Sequence, residues 1–351
     1  MNDDNSTGLT AWNADGTTQP AAFTDSGQLS ASVVHHYQRY ALMGIGIFGT
    51  GSNALVLYAL IVHRAQDSKK RGVLILIINQ NLLDLCCCVI MLITMCLKVT
   101  TIYLTGTLGY ILCAVFISNN LLLSLLNTSV INLMTLTVER YLKVVYPFWS
   151  RKNLKSWMMY AAVVFSWIAG ILTVFFVGML TSFVIDGSCM PYAFYWANSG
   201  LMAGLGTWTF VSFYLLPMVI FVFCYGHIVV VMRKQIRVMA GHNVQASARN
   251  ASQAQSKRVK WNITKTMIIV TAFFSSCWLP LNVHLLVART MQRSNITGFI
   301  AMSLPYVNIA LNPFIYAARH EGVRRILVRM IKCSKHEGAG RVGATWAINI
   351  R

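Results

Sequence analysis

With 351 residues, 56% hydrophobic and only 11% charged, and a mean hydropathy of +0.56, the chain has too little polar surface for a soluble globule. That excludes the soluble enzyme classes and leaves a polytopic membrane protein. The formal charge of +19 comes from 29 Lys and Arg against 10 Asp and Glu, and its placement along the chain explains it without a nucleic-acid partner.

Residues 1–38 hold Asp3, Asp4, Asp15 and Asp25 and no Lys or Arg, in a setting rich in Asn, Ser, Thr and Gly. Such a segment reads as a solvated, disordered tail. It shows no basic start followed by an apolar core, so no cleavable signal peptide is expected and the first span directs insertion. Asn5-Ser6-Thr7 is a glycosylation acceptor there, as is Asn295-Ile296-Thr297 near the start of the last span.

A bilayer takes about 20 apolar residues per helix, and seven stretches qualify: 41–62, 73–97, 111–145, 157–180, 205–232, 266–288 and 297–318. Backbone groups in lipid must pair within each helix, which predicts an all-α fold, a seven-transmembrane bundle over 39–318. All Lys and Arg except Arg39, Lys98, Arg289 and Arg293 fall on the side of the odd-numbered connections and the C-terminal tail. This asymmetry places the N-terminus outside the cell and the basic face against anionic inner-leaflet lipid.

Polar residues inside the spans carry the functional signal. In the first span Gly44, Gly46, Gly49 and Gly51 invite close helix approach beside Asn53. In the second, Asn79-Gln80-Asn81-Leu82-Leu83-Asp84 sets a carboxylate at mid-membrane, where it must be protonated, paired or coordinating a cation. Cys86, Cys87 and Cys88 read as small packing residues. Of nine cysteines only Cys113 and Cys189 lie at loop depth on the oxidising side, which makes them the disulfide pair.

The third span ends in Glu139-Arg140-Tyr141, two unlike charges where the helix meets the headgroups, with Pro147 and Phe148 just beyond. Pro217, Pro280 and Pro313 each interrupt a later span and predict kinks about which a half-helix swings. Pro217 is followed by Tyr225, Phe274 precedes Cys277-Trp278-Leu279-Pro280, and Asn312-Pro313 precedes Tyr316. After the last span, Val323, Ile326, Leu327, Met330 and Ile331 recur at helical spacing opposite Arg324, Arg325, Arg329 and Lys332. This predicts a short amphipathic helix on the inner leaflet over 319–333, with Cys333 as a lipidation site, and then a cytoplasmic tail, 334–351.

Taken together, Asn53, Asp84, Cys113 with Cys189, Glu139-Arg140-Tyr141 with Pro147, Trp167, Pro217 with Tyr225, Phe274 with Trp278 and Pro280, and Asn312-Pro313 with Tyr316 resemble the rhodopsin-like (class A) G-protein-coupled receptors over about 39–333. The resemblance implies a plasma-membrane receptor, not an enzyme, whose partners are an extracellular ligand, a heterotrimeric G protein, an arrestin and a receptor kinase. It implies that Trp278 senses ligand, that Arg140 meets the G protein with Phe148 inserted into it, and that Tyr225 and Tyr316 hold the open state. Asp84, Ser129, Asn308 and Asn312 match the family's allosteric sodium pocket; the alternative is a neutral Asp84 bonded to Asn53 and Asn312. No other cofactor is implied.

Cys113 lies 27 residues before Arg140, two more than the family spacing, which predicts a bulge or a late start in the third helix. Leu122 stands where aminergic receptors carry an Asp, and Tyr306 where opsins carry the retinal Lys, so neither an amine nor retinal is expected. The ligand wall is read as Asn119, Asn120, Leu122, Thr209, Phe213, Trp278, Asn282, His284, Met302 and Tyr306, an uncharged lining suited to a peptide or a lipid-like molecule. A peptide is favoured, steered by the acidic tail. The competing class is a seven-helix ion or proton transporter working through Asp84, which would need internal inverted repeats that the sequence lacks.

Overall fold

A computed structural model describes residues 22–66, 71–100, 102–191, 199–241, 265, 268–284, 295–319 and 323–330. The helices in chain order are α1 (Ala22–Gln66), α2 (Arg71–Val99), α3 (Gly106–Val145), the short α4 (Pro147–Asn153), α5 (Ser156–Thr181), α6 (199–241), α7 (Ile268–His284), α8 (Asn295–Arg319) and α9 (323–330). Among the described residues six helices are long and apolar enough to cross a bilayer, and the apolar α7 is shorter. The seven correspond in order to the seven predicted spans. Asn5 and Cys333 lie outside the described residues.

The bundle is polar within and apolar without. Asn53, Asn81, Asp84 and Asn132 are fully buried, whereas Phe165, Val222 and Phe223 are 62–67% exposed on the outer faces. In water that distribution would be unstable; in lipid it buries every costly group and leaves hydrocarbon against hydrocarbon. The central element is α3, which packs on α2, α5 and α6, while α1 lies between α2 and α8.

Small residues set the closest approaches, although not all the glycines of the first span do so. A Cβ on Gly46 would meet Leu92, and one on Gly49 would meet Cys88 and Ala310. Gly44 and Gly51 have nothing within 4 Å. The α1–α8 contact is then tied by Ser52 Oγ, which donates to the Ala310 carbonyl at 3.1 Å, and by Asn53 Nδ2, which donates to that of Ile309 at 3.3 Å. The partner of Asn53 from the second span is Asn81, whose Nδ2 donates to Asn53 Oδ1 at 3.2 Å.

Three features depart from or refine the sequence reading. First, α1 starts at Ala22, inside the segment read as a disordered tail, because 22–38 lacks proline and continues the helix of the span behind it. Second, the fold is not purely helical: Phe183–Ile185 and Ser188–Met190 form a hairpin paired Phe183 to Met190, Val184 to Cys189 and Ile185 to Ser188. Its two-residue turn, Asp186-Gly187, has φ of 49° and 72°, the left-handed values that a tight antiparallel turn demands. Third, the extra length before Arg140 is absorbed by a π-helical turn, Leu112–Ile117, in which Ser118 N–H reaches back to the Cys113 carbonyl at 2.9 Å, followed by a left-handed Asn119 at φ 59°. A second π turn, Val211–Leu215, directly precedes Pro217 in α6, and α8 carries Pro305 as well as the expected Pro313.

Candidate functional site

The middle of the bundle is a carboxyl group held from three helices. Asp84 on α2 accepts Asn312 Nδ2 of α8 on Oδ2 at 3.1 Å, and Gln80 Nε2 and Ser129 Oγ on Oδ1 at 3.2 and 3.3 Å. Asn308, 3% exposed, keeps a buried Nδ2 without a hydrogen bond, as Asn312 does its Oδ1. A narrow cavity beside this group is lined by Gln80, Ser129, Phe274, Trp278, Asn308 and Asn312. The residues read as an ion site thus meet one wall of the cavity, and the aromatic switch residues meet another. Asn53 is bonded to Asn81 and does not reach Asp84. The sequence reading passed over Gln80, although it sits one helical turn before Asp84 in the quoted run and therefore on its face.

Toward the Arg140 end, Glu139 is 2% exposed and pairs with Arg140 Nε at 3.5 Å and with Lys143 one turn on. Tyr225 on α6 shares a hydrogen bond of 3.0 Å with Thr137, and Tyr141 one of 3.0 Å with His227 Nδ1. Phe274 packs against Trp278 with ring centroids 5.4 Å apart, continuing the aromatic column from Phe221. Pro147 opens α4, whose Phe148 is 86% exposed and so stands free of the bundle. Tyr316 lies on α8, its side chain outside the described residues.

At the opposite end Cys113 and Cys189 form a disulfide with Cα atoms 5.3 Å apart, which fastens the hairpin to the π turn of α3. Cys113→Ser is expected to lower the melting temperature of the purified protein sharply, since a native bridge typically contributes about 2–5 kcal/mol. An unchanged melting curve would assign the hairpin's position to packing alone.

Several residues of the ligand wall read from the sequence are engaged in hydrogen bonds within the bundle. Asn119 Oδ1 accepts from Lys98 Nζ at 3.3 Å, and Asn282 Nδ2 is turned to its own helix, donating to the Trp278 carbonyl at 2.9 Å. Thr209 Oγ1 likewise donates to the Gly206 carbonyl. Asn120 is directed into the α3–α5 contact, where Gly178 leaves room for its amide, and its Nδ2 donates to the Ala114 carbonyl at 2.6 Å. Leu122 and Phe213 are buried in packing, Met302 is 43% exposed, Tyr306 lies against the core, and His284 covers Gly298. The amphipathic helix is seated differently from its sequence reading, with Val323, Ile326 and Leu327 buried in the core and Arg324, Arg325 and Arg329 exposed. Asn295 is the first residue of α8, its side chain outside the described residues.

Known proteins align with this arrangement. A family model described as 7 transmembrane receptor (rhodopsin family) matches residues 52–316. Galanin receptor 2a of Danio rerio is 25% identical over 83% of this chain and 76% of its own length. Somatostatin receptor type 4 of Rattus norvegicus is 26% identical over 61% and 54%, so the match spans only about half of that relative. Trace amine-associated receptor 1 of Mus musculus is 27% identical over 67% and 72%. The crystal structure of squid rhodopsin superposes with a TM-score of 0.68 over 87% of both chains at 18% identity, a likeness of fold.

Proposed function

Because this chain belongs to the rhodopsin family of seven-transmembrane receptors, and so is a G-protein-coupled receptor, we propose that it is activated by an extracellular peptide entering at the disulfide-tied end. The observation that carries the reading is the division of labour along α3. One end is tied by Cys113 to a hairpin, the middle by Ser129 to Asp84, and the other end carries the buried Arg140, with the exposed Phe148 on the short helix that follows. A ligand can bias such a bundle only by its different affinity for two arrangements, and a hairpin fixed to α3 gives it a surface coupled to that helix.

Relatives named for galanin and somatostatin support a peptide. The one named for trace amines pulls the other way, but Leu121–Ser124 of α3 holds no acid to pair an ammonium. The receptor sits in the plasma membrane with its N-terminus outside, in the sense given by the basic residues. Arrestin and a receptor kinase follow G protein at the Arg140 face, glycans at Asn5 and Asn295 decorate the outer side, and Cys333 carries the lipid anchor.

The test is a panel of peptides, amines and lipids applied to cells expressing the receptor with G-protein dissociation sensors. A peptide is expected to give a saturable signal that Arg140→Ala abolishes at equal surface amounts. Activation by amines or lipids alone would overturn the peptide reading. Ion flux without any G-protein response would mark a transporter.

A further inference from the structure

Trp167 begins a chain of hydrogen bonds whose direction is fixed. An indole N–H donates and has no lone pair to accept with. Trp167 Nε1 donates to Asn79 Oδ1 at 3.0 Å, which turns the amide nitrogen of Asn79 toward α3, where it donates to Asn132 Oδ1 at 2.9 Å. Asn132 Nδ2 in turn donates to Gln80 Oε1 at 2.9 Å and to the Leu76 carbonyl at 3.1 Å. The oxygen of Gln80 is thereby committed. Its nitrogen must face the other way, and it donates to Asp84 Oδ1 at 3.2 Å and to Ser129 Oγ. Asn79, Gln80 and Asn132 are at most 5% exposed, so water does not compete for these bonds.

A hard cation binds carboxylate, hydroxyl, carbonyl and water oxygens. The two oxygens best placed to hold one, Asp84 Oδ1 and Ser129 Oγ, are those that receive the amide hydrogens of Gln80. The other carboxyl oxygen receives Asn312 Nδ2, which leaves only neutral amide groups, Asn312 Oδ1 and the Asn308 side chain, along the cavity wall. We infer that Gln80 stands where the sodium ion of the expected pocket would sit, making the centre of this receptor a self-contained amide relay from Trp167 to Asp84 that does not respond to sodium. The inference concerns the resting protein and is independent of which ligand activates it.

Full-length purified receptor is melted in sodium chloride and in choline chloride of equal ionic strength. The parent is expected to melt at the same temperature in both. Gln80→Leu and Gln80→Met remove the competing amide and are expected to gain a sodium-specific rise of about 2–4 °C, which a second change, Asp84→Asn, removes. A sodium-specific rise in the parent that Asp84→Asn abolishes overturns the inference, as does a folded Gln80 variant that stays indifferent to sodium. Should neither Gln80 variant fold, Trp167→Phe decides: without the indole N–H the relay can reverse, Gln80 can present its oxygen, and sodium should then stabilise. Indifference of that variant also counts against the relay.

Discussion

Gly170→Ala is expected to remove most of the folded protein, measured as the monodisperse, membrane-extracted fraction on size-exclusion chromatography. A Cβ at Gly170 would lie 2.6 Å from the Cα of Thr128 and 2.7 Å from its Cβ, so the obstacle is backbone, which no rotamer change moves away. Helices α3 and α5 would have to separate, and with them the bond between Asn127 and Thr173. Overpacking of this kind costs about 1–3 kcal/mol or more, a large share of a stability of about 5–15 kcal/mol. Two comparisons separate this account from a general intolerance of alanine. Gly44→Ala, with open space around it, should be neutral or slightly stabilising through helix propensity. For Gly178→Ala the nearest atoms are all in the side-chain amide of Asn120, so Asn120→Ala should rescue it, whereas Thr128→Ala should leave Gly170→Ala defective. Equal yields for Gly170→Ala and Gly44→Ala would show that α3 and α5 are not in close contact.

Such helix contacts mark the boundary of what the chain discloses locally. The spans were legible because lipid demands a long apolar run, and the disulfide because only two cysteines lie at loop depth on the oxidising side. Asp84 declared itself as the one acid deep in a span. Which glycines face a neighbour was not legible, since Gly44 and Gly46 have the same local setting and differ only in what packs opposite. The hairpin had a signal in Asp186-Gly187, masked by its brevity inside a loop. The Trp167 relay was hidden for a different reason: its bonds join residues 88 and 53 positions apart, and no spacing rule connects three helices. The extra two residues before Arg140 announced a bulge, but not that it would fall at Leu112–Ile117, around the disulfide cysteine.

Glu139→Gln is expected to raise ligand-independent signalling about three- to tenfold at matched surface amounts. Glu139 is 2% exposed and both its oxygens lack hydrogen bonds, so its only compensation is the pairing with Arg140 and Lys143 on its own helix. Arg140 has no other carboxylate partner among the described residues. The segment just before the sixth span, outside the described residues except for Lys265, carries Lys257, Arg258, Lys260 and Lys265 in sequence and no acid. Among the described residues the charge restraint on Arg140 is therefore local to α3. Breaking a buried pair by removing one partner costs about 3–5 kcal/mol in total, but the pair is intrahelical and persists in part when the bundle opens. Only the difference between the two arrangements shifts the equilibrium. A difference of about 0.7–1.4 kcal/mol gives the stated range. Gln keeps the shape of the side chain, so unchanged yield with raised signal isolates the charge. Lys260→Glu should act in the opposite sense by putting an acid into the basic segment before the sixth span, and the double variant should return toward the parent. A basal signal that neither change alters would mean that Arg140 is not what holds the resting receptor closed.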